Sequence, residues 1–343
     1  MDLRDALRII EEDFVEALRL AREYFLHNFD STVFFYAPGF IHYEVEGFKN
    51  TPLSFPALSI TGEHCSLRCS HCNAVILKSM IPTLTSKELF EECVKVKEHG
   101  GLGVLISGGS NPRGKVPLEG FLETIAKIKR ELGLMVVVHT GLVDEELARG
   151  LAEAGVDAAL LDVVGCDDTI KEVLHLNAYV TDFERSLKLL SDYGVPAVPH
   201  IVVGLHYGEL RGEFEALRLI ARYRPAAAVI VALTPLPGTE MESVAPPSPR
   251  EVVKVLVAAR LTMPNTPLAL GCARPRGPHK SETDRLAIKA GVNAIAFPAE
   301  EAIAEATSLG LKYCFVQTCC SRVHIDATSR ALDLSISTKD NAV

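Results

Sequence analysis

From residue 57 almost to the end of the chain, short apolar runs rich in β-branched residues alternate with amphipathic helical stretches. This alternation restricts the fold more than any other feature. The strand candidates are Ala57–Thr61, Val104–Ser107, Met135–His139, Ala158–Val163, Ala197–Val203, Ala227–Thr234, Pro267–Gly271 and Ala294–Phe297. Helices fit between them over Ser86–His99 (Ser86 as the cap), Leu118–Leu132, Asp144–Ala154, Thr181–Tyr193, Glu209–Tyr223, Pro249–Leu261, Glu282–Ala290 and Ala299–Leu309. Gly155-Val156, Gly194-Val195 and Gly291-Val292 follow three of these helices, as a glycine C-cap leading into a buried strand would. Apolar strands separated by helices form a parallel sheet covered on both faces. Eight such units in series predict an α/β fold, a (β/α)8 TIM-type barrel, with the chemistry at the C-terminal ends of the strands. An open six-strand sheet is the alternative if the last two units are misread.

The flanks are simpler. Leu3, Leu7, Ile10, Phe14, Leu18 and Phe25 fall near helical spacing and predict one helix over residues 1–27. Residues 33–48 are aromatic-rich and extended, and read as a lid or barrel-bottom segment. The expected organisation is a helical and extended segment over 1–50, the barrel with a cysteine-bearing tail over 51–325, and a C-terminal tail over 326–343. A formal charge of −9 with no basic stripe argues against a nucleic-acid partner, because neutralising phosphates needs clustered Lys and Arg. No apolar run reaches the ~20 residues that span a bilayer, and the acidic, amphipathic start is unlike a secretory signal. A cytoplasmic location follows as the expectation. There, nine cysteines are metal ligands or catalytic groups before they are disulfides.

Directly after the first strand of the repeat comes Ile60-Thr-Gly-Glu-His-Cys65-Ser-Leu-Arg-Cys69-Ser-His-Cys72. Three thiolates on one compact loop can grip three irons of a [4Fe–4S] cubane and leave the fourth open to a chelating amino acid. The alternative is zinc held by these cysteines with His64 or His71. Structural zinc usually takes two separated ligand pairs, and no second pair is obvious. The C-x3-C-x2-C spacing on a post-strand loop resembles the signature of the radical S-adenosylmethionine (SAM) superfamily.

That resemblance implies that Cys65, Cys69 and Cys72 hold the cluster that reductively cleaves SAM, and it distributes further roles. His71, just before the last cysteine, would lie against the adenine. Ser107-Gly108-Gly109 resembles the family's "GGE" segment, which holds the SAM amino group, although Ser110 replaces the usual acid. His139 and Asp162, polar residues ending apolar strands, would contact SAM or substrate. Gly204 would let the fifth strand approach the adenine. Thr234-Pro-Leu-Pro-Gly-Thr239 resembles the "P-x-PGT" loop at the substrate end of biotin synthase barrels.

Three cysteines far from this loop call for a second site. Cys272 lies just beyond the seventh strand, and Cys319-Cys320 is a vicinal pair after the eighth. A barrel lets the tail bring the pair over the mouth beside Cys272, which assembles three more thiolates; otherwise Cys272 is a small buried hydrophobe and the pair a tail feature. Such an auxiliary cluster would donate sulfur to a carbon radical. Arg274 and Arg276 would be carboxylate-binding or cluster-neighbouring cations, or else solvated surface. Cys93, inside a helix, and Cys166, in a loop, read as structural.

Over roughly residues 30–325 the chain resembles archaeal biotin synthase-like radical SAM proteins. The resemblance rests on "SITGEHCSLRCSHC", "GCARPRG", "AIKAGVNAIAFP" and the terminal "CC". That group is similar to the subunits of the two-protein archaeal lipoyl synthase. The resemblance implies sulfur insertion into an octanoyl chain on a lipoyl carrier protein, with a companion radical SAM protein and an electron donor such as ferredoxin. Cys272, Cys319, Cys320 and Arg276 would be the catalytic set. The competing expectations are another radical SAM reaction on a small molecule (biotin-like closure, methylation or dehydrogenation) and a non-enzymatic iron–sulfur scaffold.

Overall fold

Every apolar run of the repeat becomes a strand in the computed structural model, which describes residues 1–328. In chain order the strands are β1 (Thr32–Tyr36), β2 (Glu44–Val45), β3 (Phe48–Lys49), β4 (Ala57–Ser59), β5 (Ile81–Pro82), β6 (Gly103–Ser107), β7 (Met135–His139), β8 (Ala158–Asp162), β9 (Ala197–Val203), β10 (Ala228–Ala232), β11 (Leu268–Leu270), β12 (Ala294–Ala296) and β13 (Lys312–Val316). Eleven of them form one sheet in the order β13-β1-β12-β11-β10-β9-β8-β7-β6-β4-β5, and every pairing is parallel. Crossover helices force that parallelism, since each returns the chain to the same end of the sheet. Gly155, Gly194 and Gly291, at φ 68°, 68° and 72°, close their helices in the left-handed conformation, as expected.

The sheet curls around a lumen lined by Phe34, Val137, Leu160, Val198, Val229, Ala269 and Ala294. Two outer cores lie between sheet and helices. Eleven strands replace the expected eight, and among the described residues no ladder joins β13 to β5. Residues 51–54 connect the two sides instead. Thr51 donates its N–H and hydroxyl to Gln317 Oε1 at 2.7 and 2.8 Å, and Ser54 accepts the Leu102 N–H at 2.9 Å.

Residues 33–48 do not form a lid at their start. Thr-Val-Phe-Phe-Tyr is buried throughout and enters the sheet as β1, between β12 and β13. Val33 and Phe35 face the helices while Phe34 and Tyr36 face the lumen, the period-two division of a strand apolar on both faces. The boundary expected at residue 50 therefore runs between hydrogen-bonded parts of one sheet.

The single helix expected over 1–27 is two, Leu3–Glu12 and Phe14–Asn28. Asp13 divides them: its backbone is extended at φ −148°, and its carboxylate accepts the N–H groups of Val15 and Glu16 at 3.0 Å each. Both helices press Ala6, Ile10, Ala17, Ala21 and Phe25 into the outer core shared with the helix Pro249–Thr262. Thr85, not Ser86, caps the helix Ser86–Glu98, in a reciprocal box with Glu88. After β13 the chain turns into the lumen, where Cys320 and Val323 pack against the strands. Tyr36 Oη donates to Asp326 Oδ2 at 2.6 Å, and Arg322 Nε donates to the same carboxylate. Residues 329–343, most of the expected C-terminal tail, lie outside the described residues.

Candidate active site at the C-terminal strand ends

The loop carrying Cys65, Cys69 and Cys72 leaves the end of β4 and is held from two sides. On one side it meets the end of β6. Thr61 Oγ1 accepts the Gly109 N–H at 2.7 Å and donates to His64 O at 2.9 Å, and the Ser66 N–H reaches Ser110 O at 2.8 Å. A Cβ at Gly109 would fall 2.0 Å from His64 O and 2.5 Å from Cys65. Only glycine lets the two segments close like this. On the other side Ser70 donates its N–H to Val173 O at 2.9 Å and its hydroxyl to Glu240 Oε2 at 2.6 Å. His175 lies 3.1 Å from the same hydroxyl, and Asn73 Nδ2 donates to Gly238 O at 3.2 Å. Glu240 and His175 carried no signal in the sequence, because their meeting with Ser70 spans more than 100 residues.

The thiols of this loop interact. Cys69 is buried, and Cys65 and Cys72 are half-buried. Hydrogen bonding from Cys69 and His71 holds the Cys72 thiol well below its ordinary range, while the bond to Cys72 pushes Cys69 up. Cys65 lies near enough for its charge to act on Cys69. Ligand atoms of Cys69, His71 and Cys72 lie within 4.8 Å of one another, the one such group of three among the described residues. His71 Nδ1 is buried without a partner. Two thiols that share a hydrogen bond, with Cys65 beside them on the same loop in a cradle that only glycine permits, form a donor set that fits a cubane with three protein ligands.

His139 ends β7, Asp162 ends β8, and His200 lies on β9, all on the lumen side. The two imidazole rings are 5.5 Å apart. Burial pushes His200 down to about 4 and lowers His139, against the opposing pull of Asp162, so both rings are neutral at pH 7. His200 Nδ1 lies 3.0 Å from its own strand's Val198 O, leaving Nε2 toward the lumen. His200 was missed in the sequence, although a histidine inside Val-Pro-His-Ile-Val-Val breaks an apolar run as His139 does. Ser107 is buried at the end of β6, where its carbonyl accepts the Ile60 N–H. Gly204, at φ +74°, gives its N–H to the buried Glu213, and its own close neighbour is Pro247.

The tail sets its cysteine pair at the sheet end that also carries Cys272, without drawing the three sulfurs into one compact ligand group. Cys272 follows β11 and Cys319 follows β13, at the same end of the sheet as the Cys65 loop. Cys272 is accessible yet walled in by protein, which raises its thiol, and the nearby Cys319 raises it further. Cys319 is drawn down to about 7 by hydrogen bonds from Cys320 and Ser321, whereas Cys320 is pushed up by Cys319, burial and Cys272. Arg274 is not free to bind a ligand. It is buried, pairs with Asp284 at 2.5 and 2.8 Å, and donates to Gly271, Ala296 and Phe297 carbonyls. Arg276 is exposed and has no such commitment. Cys93 and Cys314 are buried in apolar surroundings, and Cys166 is half-buried.

Residues 59–220 match the Radical SAM superfamily and residues 220–300 the Biotin and Thiamin Synthesis associated domain. Residues 59–220 are thus a radical SAM domain, and the chain as a whole is similar to biotin synthases. It is 30% identical over 185 residues to a biotin synthase of Alkalilimnicola ehrlichii, covering 52% of this chain and 54% of that one. With a biotin synthase of Leptothrix cholodnii it shares 26% over 249 residues, 69% of each chain. The chain thus spans about half to two thirds of the relatives it matches. Among solved structures, methylornithine synthase (PylB) superposes with a TM-score of 0.62 at 18% identity, over 91% of this chain and 92% of that one. The hydrogenase maturase HydG of Carboxydothermus hydrogenoformans gives 0.64 at 13%, over 95% and 80%. These likenesses show the fold. No described helix is long and apolar enough to cross a membrane.

Proposed function

We propose that this chain is a radical SAM sulfur-insertion enzyme that adds one of the two sulfurs to a protein-bound octanoyl chain in lipoyl cofactor assembly. What supports this reading is that Cys272 follows β11 and Cys319 and Cys320 follow β13, at the same sheet end as the Cys65 loop. When bound, the first cluster with SAM supplies a radical able to take hydrogen from an unactivated carbon, and a second cluster supplies sulfur. Cys65, Cys69 and Cys72 would hold the first; Cys272, Cys319 and Cys320 would hold the second. His71, Ser107, Gly108, Gly109, Asp162 and Gly204 would seat SAM. The neutral His139 and His200 would line the dry lumen between the two sites and accept hydrogen bonds without adding charge. Arg276, exposed near the strand ends, would meet the incoming carrier protein. The partners would be an octanoylated carrier protein, a companion radical SAM protein and a ferredoxin-like electron donor, all cytoplasmic.

Biotin-like sulfur insertion into a small molecule is the second reading, favoured by the associated domain over residues 220–300 and by the biotin synthase relatives. Anaerobic reconstitution with iron and sulfide tests the shared core: about eight irons per chain are expected for two cubanes, and about four rejects the second. Cys272→Ala and Cys319→Ala should keep SAM cleavage and lose sulfur transfer. Turnover of an octanoyl-lysine peptide or carrier domain, against dethiobiotin, decides between the substrates.

A further inference from the structure

Strand register gathers three polar side chains on one wall of the lumen. Val137, Leu160 and Val198 line it, and two residues further along β7, β8 and β9 the same face presents His139, Asp162 and His200. Asp162 and His200 are register partners across the β8–β9 ladder, and the two imidazoles lie 5.5 Å apart. The polar run stops at β10, where Val229 and Val231 face the lumen. A backbone carbonyl cannot donate a hydrogen bond. The 3.0 Å contact of His200 Nδ1 with Val198 O therefore puts the proton on Nδ1 and leaves Nε2 of the neutral ring a bare acceptor. Among the described residues nothing donates to that nitrogen. Neither nitrogen of His139 has a partner among the described residues, so in either tautomer the neutral ring offers one N–H. Buried polar groups are bonded as a rule, and this pair is shaped for a ligand that brings the missing partners.

We propose that His139 and His200 read one functional group of the substrate: His200 Nε2 accepts from a substrate N–H, and His139 donates to the adjoining carbonyl. An N–H bonded to a carbonyl carbon occurs both in the amide that ties an octanoyl chain to lysine and in the ureido ring of dethiobiotin. The inference rests on the reading above in taking the lumen as the substrate cavity of a SAM-cleaving enzyme, and it needs no second cluster. An ester, with oxygen in place of the N–H, would set two acceptors face to face and be rejected.

The test uses full-length protein with its reconstituted, oxidised cluster and SAM, without reductant, so that binding is read without turnover. Calorimetry compares an octanoyl-lysine peptide with the matching ester, and dethiobiotin with the analogue methylated on both ureido nitrogens. In the unaltered protein one N–H ligand should bind roughly tenfold or more tighter than its N–H-free counterpart. His200→Leu should erase that preference. His200→Gln, whose side-chain carbonyl can accept, should restore part of it, and SAM affinity should hold in both variants. A response of the amide pair assigns the group to an acylated lysine, and a response of the dethiobiotin pair to a free ureido compound. Equal binding of an N–H ligand and its counterpart by the unaltered protein overturns the inference alone, whether or not a variant folds. So does a preference that survives His200→Leu, or a variant that loses SAM rather than substrate selectivity. Protein that binds neither N–H ligand overturns both substrate readings and the inference with them.

Discussion

Gly109 shows how one missing side chain shapes the site. Its Cα lies where a methyl group would strike the backbone at His64 and Cys65. Gly109→Ala should push the β6 end off the cysteine loop, at a cost of about 1–3 kcal/mol. Iron retained per chain after desalting should drop well below wild type, while the far-ultraviolet circular dichroism is unchanged. His200 is the second informative residue. Its folded pKa of about 4 lies below the unfolded value near 6.5, so the unfolded chain takes up the proton first as pH falls. The stability from the neutral ring is complete above about pH 6.5 and is lost toward pH 4. Between pH 7 and pH 5 it should amount to roughly 2 kcal/mol. Urea unfolding of metal-free wild type and His200→Gln at both pH values checks this. Equal pH dependence in the two proteins would refute it.

Between elements, two buried polar links set positions that hydrophobic packing leaves free. Arg274 joins the end of β11 to Asp284 on the helix Pro278–Lys289 and to the Ala296 and Phe297 carbonyls at the end of β12. Removing one partner of a buried pair leaves the other charge stranded, so Arg274→Ala should destabilise the fold by about 3–5 kcal/mol, measured by denaturant midpoint. Lys280, hydrogen-bonded to Asp284 at 2.8 Å, would soften but not replace the loss. The second link is Tyr36 to Asp326. Tyr36→Phe leaves the sheet's apolar contacts in place and removes one of the donors to a buried carboxylate that Arg322 also serves, worth about 1–3 kcal/mol. Amide exchange over residues 318–328 should accelerate markedly, with β7–β10 unaffected.

For the whole molecule, an open curled sheet distributes stability unevenly. β8, β9 and β10 are flanked by strands on both sides and buried against the helices, whereas β5 is a two-residue edge and β13 the opposite one. Native-state hydrogen exchange should therefore find the highest opening free energies in β7–β10 and the lowest at the two edges. Edge strands protected as strongly as the centre would refute this distribution.

Local chemistry was enough for much of this. The apolar runs, their helix-length spacing and the glycine C-caps determine a parallel, helix-covered sheet, because each encodes its own burial and hand within about 30 residues. The cysteine loop is likewise local: three thiols in eight residues meet whatever the rest of the chain does. Other features depend on partners that no window contains. β1 reads as part of an extended lid or barrel-bottom segment until the sheet supplies β12 and β13 on its two sides. Arg274 looks like a ligand-binding cation until Asp284 claims it, and His200 and Glu240 look like bystanders until remote strands bring them to His139 and Ser70. The tail cysteines lie between the two. Residue type singles out Cys272, Cys319 and Cys320, but only the tail's descent into the lumen, with Cys320 and Val323 buried and Tyr36 bonded to Asp326, sets the pair at the sheet end that carries Cys272.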